Sequence, residues 1–210
     1  FSKQAIFEIG EIQITLLDTP GHVDFSPEME RTLQVLDYAI LVVSGADGVQ
    51  GHTKTLWRLL DVYKIPVFLF VNKMDQNGTD KASILKEIKK QLSDGCIDFE
   101  QIETDYFYDQ LAMCDETMME TYLEKGYVET EQIKMAIKER KIFPCFFGSA
   151  LKLLGVEQFM KGIEIFSCIP KYPDEFGAKI FKVSRDEQGT RLTHMKITGG
   201  KLKVKDVLTS

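Results

Sequence analysis

Three short polar clusters each follow an apolar run. DTPGH occupies residues 18–22 after IQITLL, NKMD occupies residues 72–75 after VFLFV, and GSA occupies residues 148–150 after FPCFF. The first has the makings of a metal and phosphate site. Asp18 offers the hard oxygen donor that magnesium accepts, through a water molecule. Gly21 has no Cβ, so backbone N–H groups there can approach a terminal phosphate closely. His22 then stands where an attacking water could be oriented. The second cluster suits a purine. The Asp75 carboxylate can accept from the N1–H and the 2-amino group of guanine, which adenine does not offer in that form. The Lys73 stem packs along the base, and Asn72 braces neighbouring loops. Ser149 and Ala150 could close over the same base with backbone N–H groups.

Taken singly, these signals are weak. Asp18 alone reads as an ordinary aspartate at the end of a strand, NKxD alone as a lysine-bearing turn, and GSA alone carries almost no information. Order and spacing supply the strength. Asn72 lies 54 residues after Asp18, and Ser149 lies 77 after Asn72. Each interval holds whole strand-and-helix units. In an open parallel sheet, ligands collect in the crevice beyond the carboxyl ends of the strands. The three clusters are therefore expected on separate strands of one sheet, lining one site for GTP and magnesium. A carboxylate left unpaired by the wrong base would support discrimination of about 10⁴-fold, as at other sites built on polar pairing.

The elements that must carry these clusters are legible in the apolar pattern. Residues 5–9 and 12–17 flank Gly10-Glu11 as a hairpin. Ser26-Pro27 reads as an N-cap and first helical position, with Met29, Leu33 and Leu36 at helical spacing. YAILVVS (residues 38–44) leads through GADGVQG into a helix at about residues 52–63, and PVFLFV (66–71) leads through NKMD into a helix at about 80–92. FPCFF (143–147) leads through GSA into a helix at about 156–166. Continuous apolar strands alternating with helices predict an α/β fold, a mostly parallel sheet with helices on both faces. Residues 93–141 break the rhythm and read as an α-rich insertion with helices starting near Asp115 and Thr130; the acidic stretch 98–109 reads as its solvated surface. Residues 169–176, with two prolines, form a linker, and residues 177–210 alternate as antiparallel β, the start of a barrel with turns at 186–189 and Gly199-Gly200. Residues 1–168 make up the first domain. Trp57, Phe68, Phe70, Phe146 and Phe147 are expected in its core.

Composition excludes several classes. The chain has 210 residues, 44% of them hydrophobic and 28% charged, enough for one sizeable core and a small second domain. No apolar run approaches the roughly 18 residues of a membrane helix, and no basic-then-apolar leader opens the sequence, so a soluble cytoplasmic protein is expected. A net charge of -6 argues against charge-driven binding to free DNA. Cys96, Cys114, Cys145 and Cys168 lack CxxC spacing, which fits neither zinc nor a disulfide framework. His52 and His194 have no partner motif. The chain begins at Phe1 inside a strand-like pattern and stops at Ser210 just after another, so it is expected to be a fragment of a longer protein.

DTPGHVDF, EMERTLQVLDYAILVVSGADGVQ, IPVFLFVNKMDQNG and GSA, in that order, resemble the G domain of translational GTPases, above all elongation factor G and the tetracycline-resistance ribosomal protection proteins. FKVSRDEQGTRLTHMKITGGKLKVKD resembles the opening of that family's second, β-barrel domain. The stretch DQNGTDKASILKEIKKQLS and the insertion before GSA lean toward the ribosomal protection branch. The resemblance implies GTP hydrolysed to GDP and phosphate by a ribosome-bound parent protein. It implies that His22 orients the hydrolytic water, Asp18 serves magnesium, Gly21 senses the γ-phosphate, and Asn72, Lys73 and Asp75 read guanine. Thr19, Pro20, Ser149 and Ala150 complete the nucleotide-contacting set, and Asp24 and Phe25 fall in its switch II segment.

One departure is serious. The family's phosphate loop, GxxxxGK[ST], occurs nowhere in the 210 residues. That loop's backbone and lysine grip the phosphates, so the chain alone is expected to hydrolyse no GTP. In the family's sheet the strand before that loop lies between those matching residues 12–17 and 38–44. Both neighbours are therefore expected to have unpaired edges unless another segment or a second chain fills the gap. The alternative to a GTPase is a docking module of the same fold without turnover. A metabolic kinase or dehydrogenase has no use for NKMD.

Overall fold

The computed structural model describes residues 3–19 and 27–207. The chain separates into two compact units, Phe1–Asp18 with Tyr38–Cys168, and Thr19–Asp37 with Ile169–Ser210. In the first unit, β1 (Lys3–Ile9) and β2 (Ile12–Asp18) form an antiparallel hairpin, in register from Lys3↔Asp18 to Ile9↔Ile12. Gly10 takes the positive φ of 55° that the two-residue connection needs.

Four further strands form a second sheet: β3 (Ala39–Ser44), β4 (Val67–Asn72), β5 (Cys96–Asp98) and β6 (Phe143–Phe147), in the order β3-β4-β6-β5 and all parallel. The fold is therefore the expected α/β class, a mostly parallel sheet with helices, followed by antiparallel strands. Residues 67–71 of β4 and all of β6 are buried, which is why their sequences run apolar without alternation. Phe68, Phe70 and Phe146 join Phe99, Phe107, Phe159 and Phe166 in one aromatic core, and Phe147 is buried as well. Trp57 is only half-buried, packed edge-on against Phe143 with the Arg140 guanidinium 5.4 Å from its ring.

β3 behaves differently, with one face open. Leu41 and Val43 are buried, while Ile40 and Val42 on the opposite face are 41% and 56% exposed. Among the described residues, β3 has β4 on one side only, and β2 has β1 on one side only. The hairpin is a separate two-stranded ladder. This corrects the expectation that all three polar clusters hang from one sheet: β2, which ends at Asp18, is not hydrogen-bonded into it.

The helices follow from capping and periodicity. These are α2 (Gly51–Val62), α3 (Lys81–Gln91), α4 (Asp105–Ala112), α5 (Glu116–Lys125), α6 (Thr130–Lys138) and α7 (Val156–Phe166) in the first unit, with α1 (Pro27–Leu33) in the second. Asp80 caps α3 by accepting the Ser83 N–H, and Ile84 and Ile88 turn inward at helical spacing. α7 buries Phe159, Gly162 and Phe166 on one stripe.

Residues 93–141 differ from the two-helix reading in two ways. They hold three helices rather than two, and they supply β5, an edge strand of the parallel sheet. In the acidic stretch, most residues are exposed, and two aromatics and two acids turn toward the core and its rim. Phe99 and Phe107 are in the core, and Asp98 and Glu100 both close on Lys81, at 2.6 and 2.5 Å. Phe99 and Phe107 turn in and Asp98 and Glu100 meet a lysine at the rim, while residues 101–106 and 109 are exposed.

In the second unit, β7 (Gly177–Arg185) and β8 (Arg191–Gly199) form an antiparallel ladder around an Asp186 turn, whose carboxylate accepts the Gln188 and Thr190 N–H groups. Lys196 of β8 bonds the Val35 carbonyl at 2.9 Å and the Asp37 carboxylate at 2.5 Å. Residues 201–207 do not extend the alternation into a further strand; they turn, with Lys205 at a φ of 77°. α1 stops at Leu33, short of Leu36. Ser26, read as its N-cap, lies outside the described residues.

Candidate functional site

The parallel register sets Ser44 beside Asn72 and Val71 beside Phe147, so the carboxyl ends of β3, β4 and β6 finish level. Three loops leave from that line. The Gly45 N–H donates to the Asn72 carbonyl at 2.7 Å, the Gly148 N–H to the Val71 carbonyl at 2.9 Å, and the Met74 N–H to the Gly148 carbonyl at 2.9 Å. Asn72 then ties two loops with one atom, its Oδ1 accepting the N–H of Lys73 at 2.8 Å and of Ala150 at 2.9 Å. This tight exit places Lys73 in the left-handed region, at a φ of 65°, a conformation that costs a non-glycine residue free energy.

Gly148 is needed where it stands. A Cβ there would lie 2.1 Å from the Leu154 carbonyl oxygen. Beyond it, residues 149–154 fold back on themselves: Ser149 and Leu154 exchange both backbone hydrogen bonds at 3.0 Å, and the Lys152 N–H donates to the Ser149 carbonyl at 3.2 Å. Leu153 and Gly155 take positive φ values of 58° and 73° to make the reversal. Its effect is to lay Lys152 against NKMD. Lys152 Nζ lies 3.0 Å from Asp75 Oδ2, and the Asp75 side chain is 20% exposed. The Lys152 ammonium, and after it the Ser149 side chain, hold the Asp75 carboxyl below the usual carboxylate range. Lys73 points elsewhere, its Nζ 3.8 Å from Asp47 Oδ2, and Asp47 in turn accepts the Ser44 hydroxyl at 2.7 Å.

Asn72, Lys73, Asp75, Ser149 and Ala150 are thus one bonded cluster. The Ser149 and Ala150 N–H groups, expected to face a base, are both engaged here, with Leu154 and Asn72. Asp18 is exposed at the end of the separate hairpin, followed by exposed Thr19. Pro20, Gly21, His22, Asp24 and Phe25 lie outside the described residues. Sequence reasoning passed over Lys152, whose only signal is a lone cation among Leu151, Leu153 and Leu154. It also passed over Glu100. The Phe147 N–H lies beyond the end of the short β5 and donates to Glu100 Oε1 at 3.0 Å, while Lys81 stacks over the Phe147 ring at 4.7 Å. No local pattern announces that contact across 47 residues.

Residues 1–171 match the family described as elongation factor Tu GTP binding domain. The chain belongs to that family, among the translational GTPases. Its curated relatives include the tetracycline resistance protein TetO of Campylobacter coli, 30% identical over 222 aligned residues that take in 96% of this chain and 34% of that protein. The oxytetracycline resistance protein of Streptomyces rimosus is 31% identical over 235 residues, 99% of this chain and 35% of that one. The chain therefore spans about a third of the length of these relatives. A solved structure from Thermus thermophilus superposes with a TM-score of 0.81 at 22% identity, covering 98% of this chain and 38% of that one, a likeness of fold. Among the described residues, no helix is long and apolar enough to cross a membrane, and no group of three or more acidic, histidine or cysteine side chains could hold a metal ion.

Proposed function

We propose that the chain is the guanine-recognising portion of a ribosome-associated GTPase that binds GTP with magnesium and hydrolyses it to GDP and phosphate. The observation that carries this reading is the clamp of NKMD onto GSA through Asn72, with the Asp75 carboxylate kept ionised beside it. An ionised carboxylate fits a base that brings two N–H donors and penalises one that does not. Asn72 braces the loops beside that carboxylate, the Ser149 side chain bonds it, and the stem of Lys73 and the backbone of Ala150 border the base.

At the other end of the nucleotide, Asp18 would hold magnesium through water, the remaining ligands coming from the phosphates and solvent. A single carboxylate is in keeping with how that cation is bound to nucleotides. Its chemistry there is to neutralise phosphate charge. His22 orients the attacking water, Gly21 approaches the γ-phosphate, and Thr19 and Pro20 complete that contact. The tetracycline-resistance relatives favour the ribosomal protection role over elongation.

The free edges of β2 and β3 are where the phosphate-binding strand of the complete protein would pair, with residues 1–168 as its G domain and residues 177–210, after the 169–176 linker, as the opening of its barrel. The 210-residue chain by itself therefore binds magnesium nucleotide no more tightly than millimolar and turns none over. Calorimetry that finds micromolar GTP affinity for it refutes this. For the complete protein, His22→Ala slows ribosome-stimulated hydrolysis by about 10²-fold or more while nucleotide affinity stays nearly constant; unchanged turnover removes His22 from the role.

A further inference from the structure

We infer that Lys152 is a specificity-determining positioning residue: its ammonium fixes the Asp75 carboxylate so that the lone pairs left over match the two N–H donors of guanine. This rests on the guanine site proposed above. The local folding of residues 149–154 makes the case. The loop SALKLL closes with Ser149 and Leu154 paired, and it turns its apolar side chains outward, with Leu151, Leu153 and Leu154 exposed at 93%, 74% and 55%. Lys152, the one charged residue among them, is turned onto Asp75 at 3.0 Å.

Lone-pair arithmetic explains what the contact does. An ionised carboxylate presents about four acceptor positions on two oxygens. Lys152 takes one on Oδ2, the Ser149 side chain takes another, and the two together set the torsion of the group. Those remaining on the open side face the site, where the N1–H and 2-amino donors of guanine lie side by side. Hypoxanthine offers one such donor, and adenine places a lone pair there. Without Lys152 only the Ser149 side chain is left to hold the carboxylate about its Cβ–Cγ bond, and the two-donor match loses part of its advantage over the one-donor match. Lys73 does not substitute for it, being directed at Asp47.

The contact could instead be an ordinary surface ion pair, which contributes little. Titrating the isotope-labelled 210-residue chain with guanosine 5′-monophosphate, and separately with inosine 5′-monophosphate, decides between the two by following amide shifts at residues 72–75 and 149–152; such titrations read millimolar affinities. Lys152 is 56% exposed, so Lys152→Met and Lys152→Arg are both expected to fold. Lys152→Met weakens the guanine ligand by up to about fivefold, leaves the inosine ligand nearly unchanged, and so lowers the ratio between them, while Lys152→Arg restores the ratio. An unchanged ratio in Lys152→Met, or tighter guanine binding, overturns the inference and leaves the guanine site standing. If guanosine monophosphate shifts none of these amides in the unaltered chain, the guanine site falls and the inference with it.

Discussion

The side-chain oxygen of Asn72 accepts the backbone N–H of Ala150 at 2.9 Å, joining the ends of two parallel strands across 78 residues of sequence. A substitution that removes this acceptor leaves Ala150 without its partner, and through it loosens the loop that carries Lys152. Asn72→Ala should destabilise the chain by about 1 kcal/mol, the usual net contribution of such a bond. Its more telling mark is local: hydrogen exchange at the Ala150 amide should accelerate well beyond that of the buried β4 amides. Equal acceleration across the sheet would mean that Asn72 acts on the fold and not on the loop.

Gly162 tests how closely α7 lies on the sheet. A Cβ at this position would fall 2.2 Å from Cζ of the buried Phe146 ring. In an exposed helix, Gly→Ala gains about 1 kcal/mol. Here overpacking opposes and exceeds that gain, and Gly162→Ala should destabilise by about 1 to 3 kcal/mol. Urea unfolding followed by circular dichroism gives the sign. Net stabilisation would show that the helix can slide away from Phe146.

Asp115 should make stability depend on pH. Its carboxylate caps α5 by accepting the Thr117 and Met118 N–H groups, and it pairs with Lys141 at 2.7 Å. The Lys141 ammonium first, then Thr117, lower its pKa to about 2. A depressed pKa means the folded state binds the proton less readily than the unfolded one. The stabilisation is therefore fully present above about pH 4, where the unfolded carboxyl is ionised, and is lost as pH falls toward 2. Asp115→Ala should reduce stability by about 1 kcal/mol at pH 7 and by less at about pH 2.5. A parallel loss at both pH values would exclude the ionised cap as the cause.

The free edge of β3 should make the chain prone to associate. Ile40 and Val42 are exposed on a strand that pairs on one side only, the arrangement that invites pairing with another chain. Val42→Lys should suppress oligomers in light scattering at high protein concentration and change the unfolding midpoint little, since Val42 is 56% exposed. Unaltered association would place the contact elsewhere.

How much of this was legible beforehand depends on whether the signal was local. β4, β6 and α7 could be read almost to the residue, because an unbroken apolar run bounded by turns, and a helical stripe such as Phe159, Gly162 and Phe166, carry their own period. β5 was missed for the opposite reason: three residues hold no period, and Cys96–Asp98 is a strand only because Phe143 lies alongside it. The same holds for Glu100 and Lys81, whose partners are set by tertiary contact and not by spacing.

By itself the sequence determined the family, the parallel order of strands and helices, and the residues NKMD and GSA, because apolar periodicity and motif order are properties of the chain read in one dimension. Tertiary structure alone decided that Asn72 and Ala150 share a hydrogen bond, that Lys152 is turned onto Asp75 while its leucine neighbours face solvent, and that β2 stands apart from the main sheet. These are relations between segments dozens of residues apart. They depend on where strand register and loop reversals bring atoms within about 3 Å of one another, the reach of a hydrogen bond, and no single stretch of sequence encodes that distance.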